Sequence, residues 1–226
     1  MSTIALGPLM IRADILVFLI SAVMGFLVLK VRLRGREESG WMLDTYVNAL
    51  IIGFVVWKFS MIVFDPIRTI QHPSSLLYFT GGDQGIWLGT ALALAYVGVR
   101  LNKKRSLVVL LVKAAMLAFL TGGFARHVFL WFWDESLGEM ALMYALLHGV
   151  LAVWAWIKYD ASIRIFGSIA LWYSIGSVLI PFFDEGRNTV VAGFTSVQIA
   201  FGVLAFAILI FDMLFTKQQN KTADHR

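Results

Sequence analysis

The chain has 226 residues, 59% hydrophobic and 15% charged, with a net charge of +5 and no cysteine. An ordinary soluble domain carries charge on about a quarter of its residues, so this balance excludes one. The missing thiols exclude disulfides, thiolate chemistry and S-acylation on this chain.

A helix needs about 20 apolar residues to cross the hydrocarbon core, because in lipid only bonding within the segment satisfies its backbone. The first such stretch is Ile11–Val31. It is too long for a signal peptide, has no basic leader, and no small-residue cleavage site follows it, so it reads as a span. Met1–Met10 before it reads as a terminal fringe. The next gap, Arg32–Gly40, continues the basic run of Lys30, Arg32, Arg34 and Arg36. The second span is Tyr46–Phe64, with Lys58 past its middle. That lysine either snorkels to the interface or meets an anionic lipid headgroup.

The gap Asp65–Gly85 is the longest. Pro66-Ile67-Arg68 and Pro73 to Phe79 predict a short interfacial helix. Gly81-Gly82-Asp83-Gln84-Gly85 then leads into the third span, Ile86–Leu101. Such a glycine-rich entry lets backbone N–H groups approach an anion, and it also serves as a plain turn. Arg100, Lys103, Lys104 and Arg105 precede the fourth span, Leu107–Phe124. Small residues Thr121-Gly122-Gly123 lead to Arg126 and His127, a candidate phosphate contact at the start of a gap that runs to Ser136.

The fifth span, Leu137–Ile157, contains His148, read as a hydrogen bond to a neighbouring helix. Lys158 and Arg164 separate it from the sixth span, Ile165–Pro181. The gap Asp184–Gly193, with Arg187, precedes the seventh, Phe194–Phe215, and the tail holds Lys217, Lys221 and Arg226. Basic gaps therefore alternate with gaps holding mainly acids: Asp65, then Asp134, Glu135 and Glu139, then Asp184 and Glu185. Lys and Arg stay on the cytoplasmic side, so seven spans put the N-terminus outside and the C-terminus inside. The positive charge is then a topological excess and calls for no nucleic acid. The expectation is an all-α, multi-pass protein of the bacterial plasma membrane, with residues 1–226 as a single polytopic domain. There is no P-loop, HExxH, nucleophile elbow or metal-ligand cluster, so neither metal nor cofactor is expected.

The order of these features resembles the prolipoprotein diacylglyceryl transferases. The resemblance rests on Ile4 to Arg12 with its Gly7-Pro8 turn, Lys58 to Phe64, Pro73 to Gly89, Tyr144 to Val150, Pro181 to Asp184, and Ser196-Val197-Gln198. That family transfers diacylglycerol from phosphatidylglycerol to the lipobox cysteine of secreted prolipoproteins. Several of its motif residues are replaced here. Gln84 stands where the family has a histidine, Ala125 where it has an arginine, Val128 for an asparagine, Ser177 for an arginine and Pro181 for a glutamate, while Ala13-Asp14-Ile15 replaces a Trp-Tyr-Gly. Arg126 lies one place along from the family's arginine, about 100° around a helix. The segment between the fourth and fifth spans is too short for the family's outer head domain.

The resemblance implies a retained scaffold without the transfer chemistry. It would bind an anionic phospholipid such as phosphatidylglycerol, with a lipoprotein precursor or another membrane protein as a further partner. Lys58, Arg126, His127 and Arg187 would supply cationic contacts, and Gln84 with the Gly81-Gly82 backbone neutral donors. The alternative is an active diacylglyceryl or acyl transferase in which His127 replaces the missing base and Arg126 the missing arginine. A third reading is a small-solute transporter using Lys58, Lys113, His148 and Asp212.

Overall fold

A computed structural model describes residues 3–6, 9–72, 81–133, 138–184 and 186–223. Six helices among them are long and apolar enough to cross a membrane: Ile15–Arg32, Ser39–Phe59, Arg105–Trp133, Gly138–Ile157, Ile163–Phe183 and Ser196–Met213. They mark a multi-pass membrane protein. The expected third span is part of a 21-residue helix, Gly82–Asn102. Asp83, Gln84, Arg100 and Asn102 dilute its ends and keep it out of that set of six. The chain forms two compact units, Leu29–Ala115 and Met1–Val28 with Met116–Arg226.

In the unit Leu29–Ala115, after α1 (Ala13–Arg32) ends, α2 spans Ser39–Phe59, α3 Met61–Phe64, α4 Pro66–Gln71 and α5 Gly82–Asn102. Helix α5 lies against α2 along glycines spaced by four, which fall on one helix face. A Cβ on Gly89 would stand 2.5 Å from the Gly53 carbonyl oxygen, and one on Gly85 would run into the Ser60 hydroxyl. Lipid offers helices no hydrophobic reason to associate, so this close backbone approach is what holds the pair.

Arg100 secures the other end of the pair. Its Nη2 donates to Thr45 Oγ1 at 3.3 Å, and its guanidinium lies 5.2 Å from the Trp41 ring centroid. Lys104 Nζ lies 5.6 Å from the same ring. Helix α4 occupies the first part of the expected interfacial segment, and Thr69 Oγ1 ties it back to the Asp65 carbonyl at 2.9 Å. The Pro73–Phe79 part lies outside the described residues, as do Asp134, Glu135, Glu185 and Arg226.

The other unit opens with an antiparallel hairpin, β1 Thr3–Leu6 against β2 Leu9–Arg12, in register from Thr3 opposite Arg12 to Leu6 opposite Leu9. This corrects the reading of the first ten residues as a fringe: Thr3 to Leu6 and Leu9 to Arg12 pair, and the Gly7-Pro8 turn lies outside the described residues. Helix α6 is Val108–Trp133, α7 Gly138–Ile157, α8 Ile163–Leu179 and α9 Ser196–Ala223. A second correction concerns α6, which does not end at Phe124. The run Val128 to Trp133 is apolar and aromatic throughout and extends the helix, so Arg126 and His127 lie inside it rather than in a gap.

Small residues again set the packing. Gly122 faces the Ser21 carbonyl of α1, and Gly176 of α8 faces the Leu147 side chain of α7. Leu117, Leu120, Ala145, Ala155, Phe166 and Ile169 are buried here. Helix α8 tightens into a 3-10 turn, Ile180–Phe183, around Pro181. Helix α9 starts with a reciprocal cap. The Gln198 N–H donates to Thr195 Oγ1 at 3.2 Å, and the Thr195 N–H donates to Gln198 Oε1 at 2.8 Å. Gln198 Nε2 also donates to the Val178 carbonyl in the last turn of α8 at 2.9 Å. That one side chain joins the two helices.

Candidate functional site

Three helices place aromatic, small and polar residues at i, i+4 spacing, and the three faces meet. Helix α6 supplies Phe119, Gly123 and His127, α7 supplies Tyr144 and His148, and α8 supplies Tyr173 and Ser177. The His127 ring stacks on Tyr144 with centroids 5.1 Å apart, and lies 5.1 Å from the His148 ring. Tyr173 meets His148 edge-on at 5.1 Å and Phe119 at 5.3 Å. Phe201 of α9 closes the far side, 5.6 Å from Tyr173.

His148 is 3% exposed. Its Nδ1 lies 2.8 Å from the Tyr144 carbonyl oxygen. A carbonyl only accepts, so Nδ1 carries the proton and Nε2 of the neutral ring keeps its lone pair. A Cβ on Gly123 would fall into the ring at Cδ2 and Nε2. Glycine at that position is therefore what admits the imidazole between α6 and α7. Ser177 is buried one turn beyond Tyr173. Arg126 is exposed beside this cluster, and its charge reaches His127, His148 and Tyr173.

The result is two imidazoles, two phenols and a guanidinium within an apolar surround. The His127 ring, the two phenols and the guanidinium can offer hydrogen bonds and positive charge to a phosphate oxygen, while His148 has already given its one N–H to the Tyr144 carbonyl. Among the described residues no three His, Asp or Glu side chains converge as a metal site would need.

Of the residues singled out in the sequence, Arg126 and His127 join this cluster. Arg187 belongs to the same unit, in the turn after the 3-10 segment, where its guanidinium lies 4.7 Å from the Phe182 ring centroid. Lys58, Gly81, Gly82 and Gln84 belong to the other unit. Lys58 is half-buried in the last turn of α2. Gly81 faces the Trp57 carbonyl, and its own carbonyl accepts from Ser60 Oγ at 3.3 Å, so it serves helix packing. Gly82, at φ +56°, and Gln84 are exposed at the start of α5. The proposed transport residues also divide between the units, Lys58 and Lys113 in one, His148 and Asp212 in the other.

Tyr144 and Tyr173 are site residues that the sequence did not point to, and the hydrogen bond expected from His148 to a neighbouring helix goes instead to the Tyr144 carbonyl of its own helix. The signal available was the Tyr144-x-x-x-His148 pair on an apolar helix together with Gly123 four residues before His127. Compared with family models, curated proteins and solved structures, the chain matches none.

Proposed function

We propose that this protein is a diacylglyceryl transferase-like membrane protein that binds the headgroup of an anionic phospholipid, phosphatidylglycerol above all, without performing the transfer. On this reading α5 is the remaining span of a seven-span, N-outside protein in a bacterial plasma membrane. The observation that carries it is the His127–His148 pair, flanked by Tyr144 and Tyr173, with the Arg126 charge beside it. A phosphate can accept from His127, Tyr144, Tyr173 and Arg126, with His148 holding the pair in place through its bond to the Tyr144 carbonyl, while the positions at which the family carries its histidine and paired arginines hold Gln84, Ala125 and Ser177.

The test is lipid retention. Protein purified from a phosphatidylglycerol-containing membrane should carry that lipid through mild delipidation. Arg126→Ala combined with His127→Ala should remove one bound phosphatidylglycerol per chain, counted by native mass spectrometry, while phosphatidylethanolamine stays unchanged. Equal retention of both lipids by the variant and the parent would refute the proposal.

One observation favours the active alternative. His148 keeps its Nε2 lone pair and packs against His127, so a base is present even though Gln84 is not one. Phosphatidylglycerol-dependent transfer to a lipobox cysteine peptide, abolished by His127→Ala and by His148→Ala, would establish that alternative in place of the first.

A further inference from the structure

Helix α7 has a second face, next to the one that carries Tyr144 and His148. Ala145, Gly149 and Ala152 recur there at i, i+4 and i+7, and Trp156 continues the line. With Leu117, Thr121 and Phe124 of α6 and Val28 of α1, they line a groove of about 670 Å³ open along one side. The small residues make the trough. Leu146, Val150 and Val153, each about 60% exposed or more, form its rim. The lining makes no demand for a polar guest, because its hydroxyl is already engaged: Thr121 Oγ1 donates to the Leu117 carbonyl at 2.8 Å.

Two features identify the occupant. Ala145 to Trp156 is eleven residue steps, roughly 16 Å of helix at 1.5 Å per step. That is about half of a hydrocarbon core roughly 30 Å thick, the reach of one leaflet's acyl chains. At the Trp156 end the helix stops, and exposed Lys158 in the connecting turn and Arg164 in the first turn of α8 stand against one carboxylate, Asp160. A tryptophan beside basic residues at a helix end is the signature of the bilayer interface.

We infer that this groove holds one acyl chain of an anionic phospholipid from the leaflet on the Lys158 side, with the lipid phosphate against Lys158. The site is separate from the histidine–tyrosine cluster and does not depend on it.

Native mass spectrometry of the full chain, loaded with dioleoyl phosphatidylglycerol or dioleoyl phosphatidylcholine, tests this. In the Arg126→Ala, His127→Ala background one phosphatidylglycerol should still be retained. Filling the trough with Gly149→Leu or Ala152→Leu should reduce that retention about ten-fold. Lys158→Gln should remove about five-fold of the preference for phosphatidylglycerol over phosphatidylcholine, the effect of one cation at an anionic surface.

Should either groove variant melt early, wild-type protein supplies the reading. Phosphatidylglycerol with brominated chains should quench the Trp156 emission, taken as the difference between wild type and Trp156→Phe. Full retention in both folded groove variants, or no quenching of Trp156, overturns the groove assignment. An unchanged lipid preference in Lys158→Gln overturns the headgroup assignment.

Discussion

Gly123→Ala is the sharpest probe of the histidine–tyrosine cluster. The added methyl would occupy the space of the His148 ring at Cδ2 and Nε2. The ring has little freedom to yield, with Phe119 and Tyr173 packed on it and Nδ1 held 2.8 Å from the Tyr144 carbonyl. Overpacking of a tight core costs about 1–3 kcal/mol. If the ring swings out, the hydrogen bond is lost as well, a further ~1 kcal/mol. The expected destabilisation is therefore about 2–4 kcal/mol, read by unfolding in micelles with a denaturing detergent. In a His148→Ala background the obstacle is gone, and the same methyl should be nearly neutral. The double-mutant cycle should thus show a coupling of roughly 2–4 kcal/mol between the two positions, the whole cost of the methyl in the parent. Additive effects, within about 0.5 kcal/mol, would refute the packing argument for Gly123.

Three further outcomes follow from other parts of the fold. Gly89→Ala should weaken the α2–α5 pair by about 1–3 kcal/mol, because its methyl meets the Gly53 carbonyl; Gly98→Ala on the same helix, with open space around it, should be neutral or stabilising by up to about 1 kcal/mol. Thermal melting of the two variants side by side checks the difference. Thr195→Ala should cost about 0.5–2 kcal/mol by removing one half of the α9 cap, and Gln198→Ala should cost more, since it also releases the Val178 carbonyl; hydrogen exchange at the start of α9 reads both. Ala192→Gly should stabilise by about 1 kcal/mol, because Ala192 sits at φ +50° beside Gly193 at φ +79° in the turn between Val191 and Phe194. A lower melting temperature for that variant would contradict the turn geometry.

The membrane-crossing helices were legible because span length and apolar content are properties of single segments. Their ends were less so. Arg126 and His127 looked like the close of a span, since charge usually marks an exit, yet the aromatic run after them keeps the backbone helical for almost two more turns. The β1–β2 hairpin left no alternation strong enough to read. Within the site, His127 could be suspected from its arginine neighbour, whereas His148 stood out only as a polar residue in an apolar span, with its partner misread. Its role depends on which residue of α6 lies opposite, and the sequence of α7 carries no record of that. Gly81 and Gly85 illustrate the same limit in reverse. A glycine-rich entry serves anions and helix contacts equally well in the sequence, and only the position of Trp57 and Ser60 decides between them. Ser196-Val197-Gln198 carried part of the transferase resemblance, but here its glutamine closes a helix cap.

The Gln198 contact with Val178 also bears on how the chain is made. The final helix obtains a hydrogen-bond partner for its first-turn side chain from the helix synthesised just before it. In hydrocarbon, a glutamine amide lacking that acceptor would bear the full penalty of leaving water. Helices α8 and α9 are therefore best released into lipid together, as a preformed hairpin. A ribosome stalled before Gln198 emerges would leave α8 in the membrane without the Gln198 bond to its last turn.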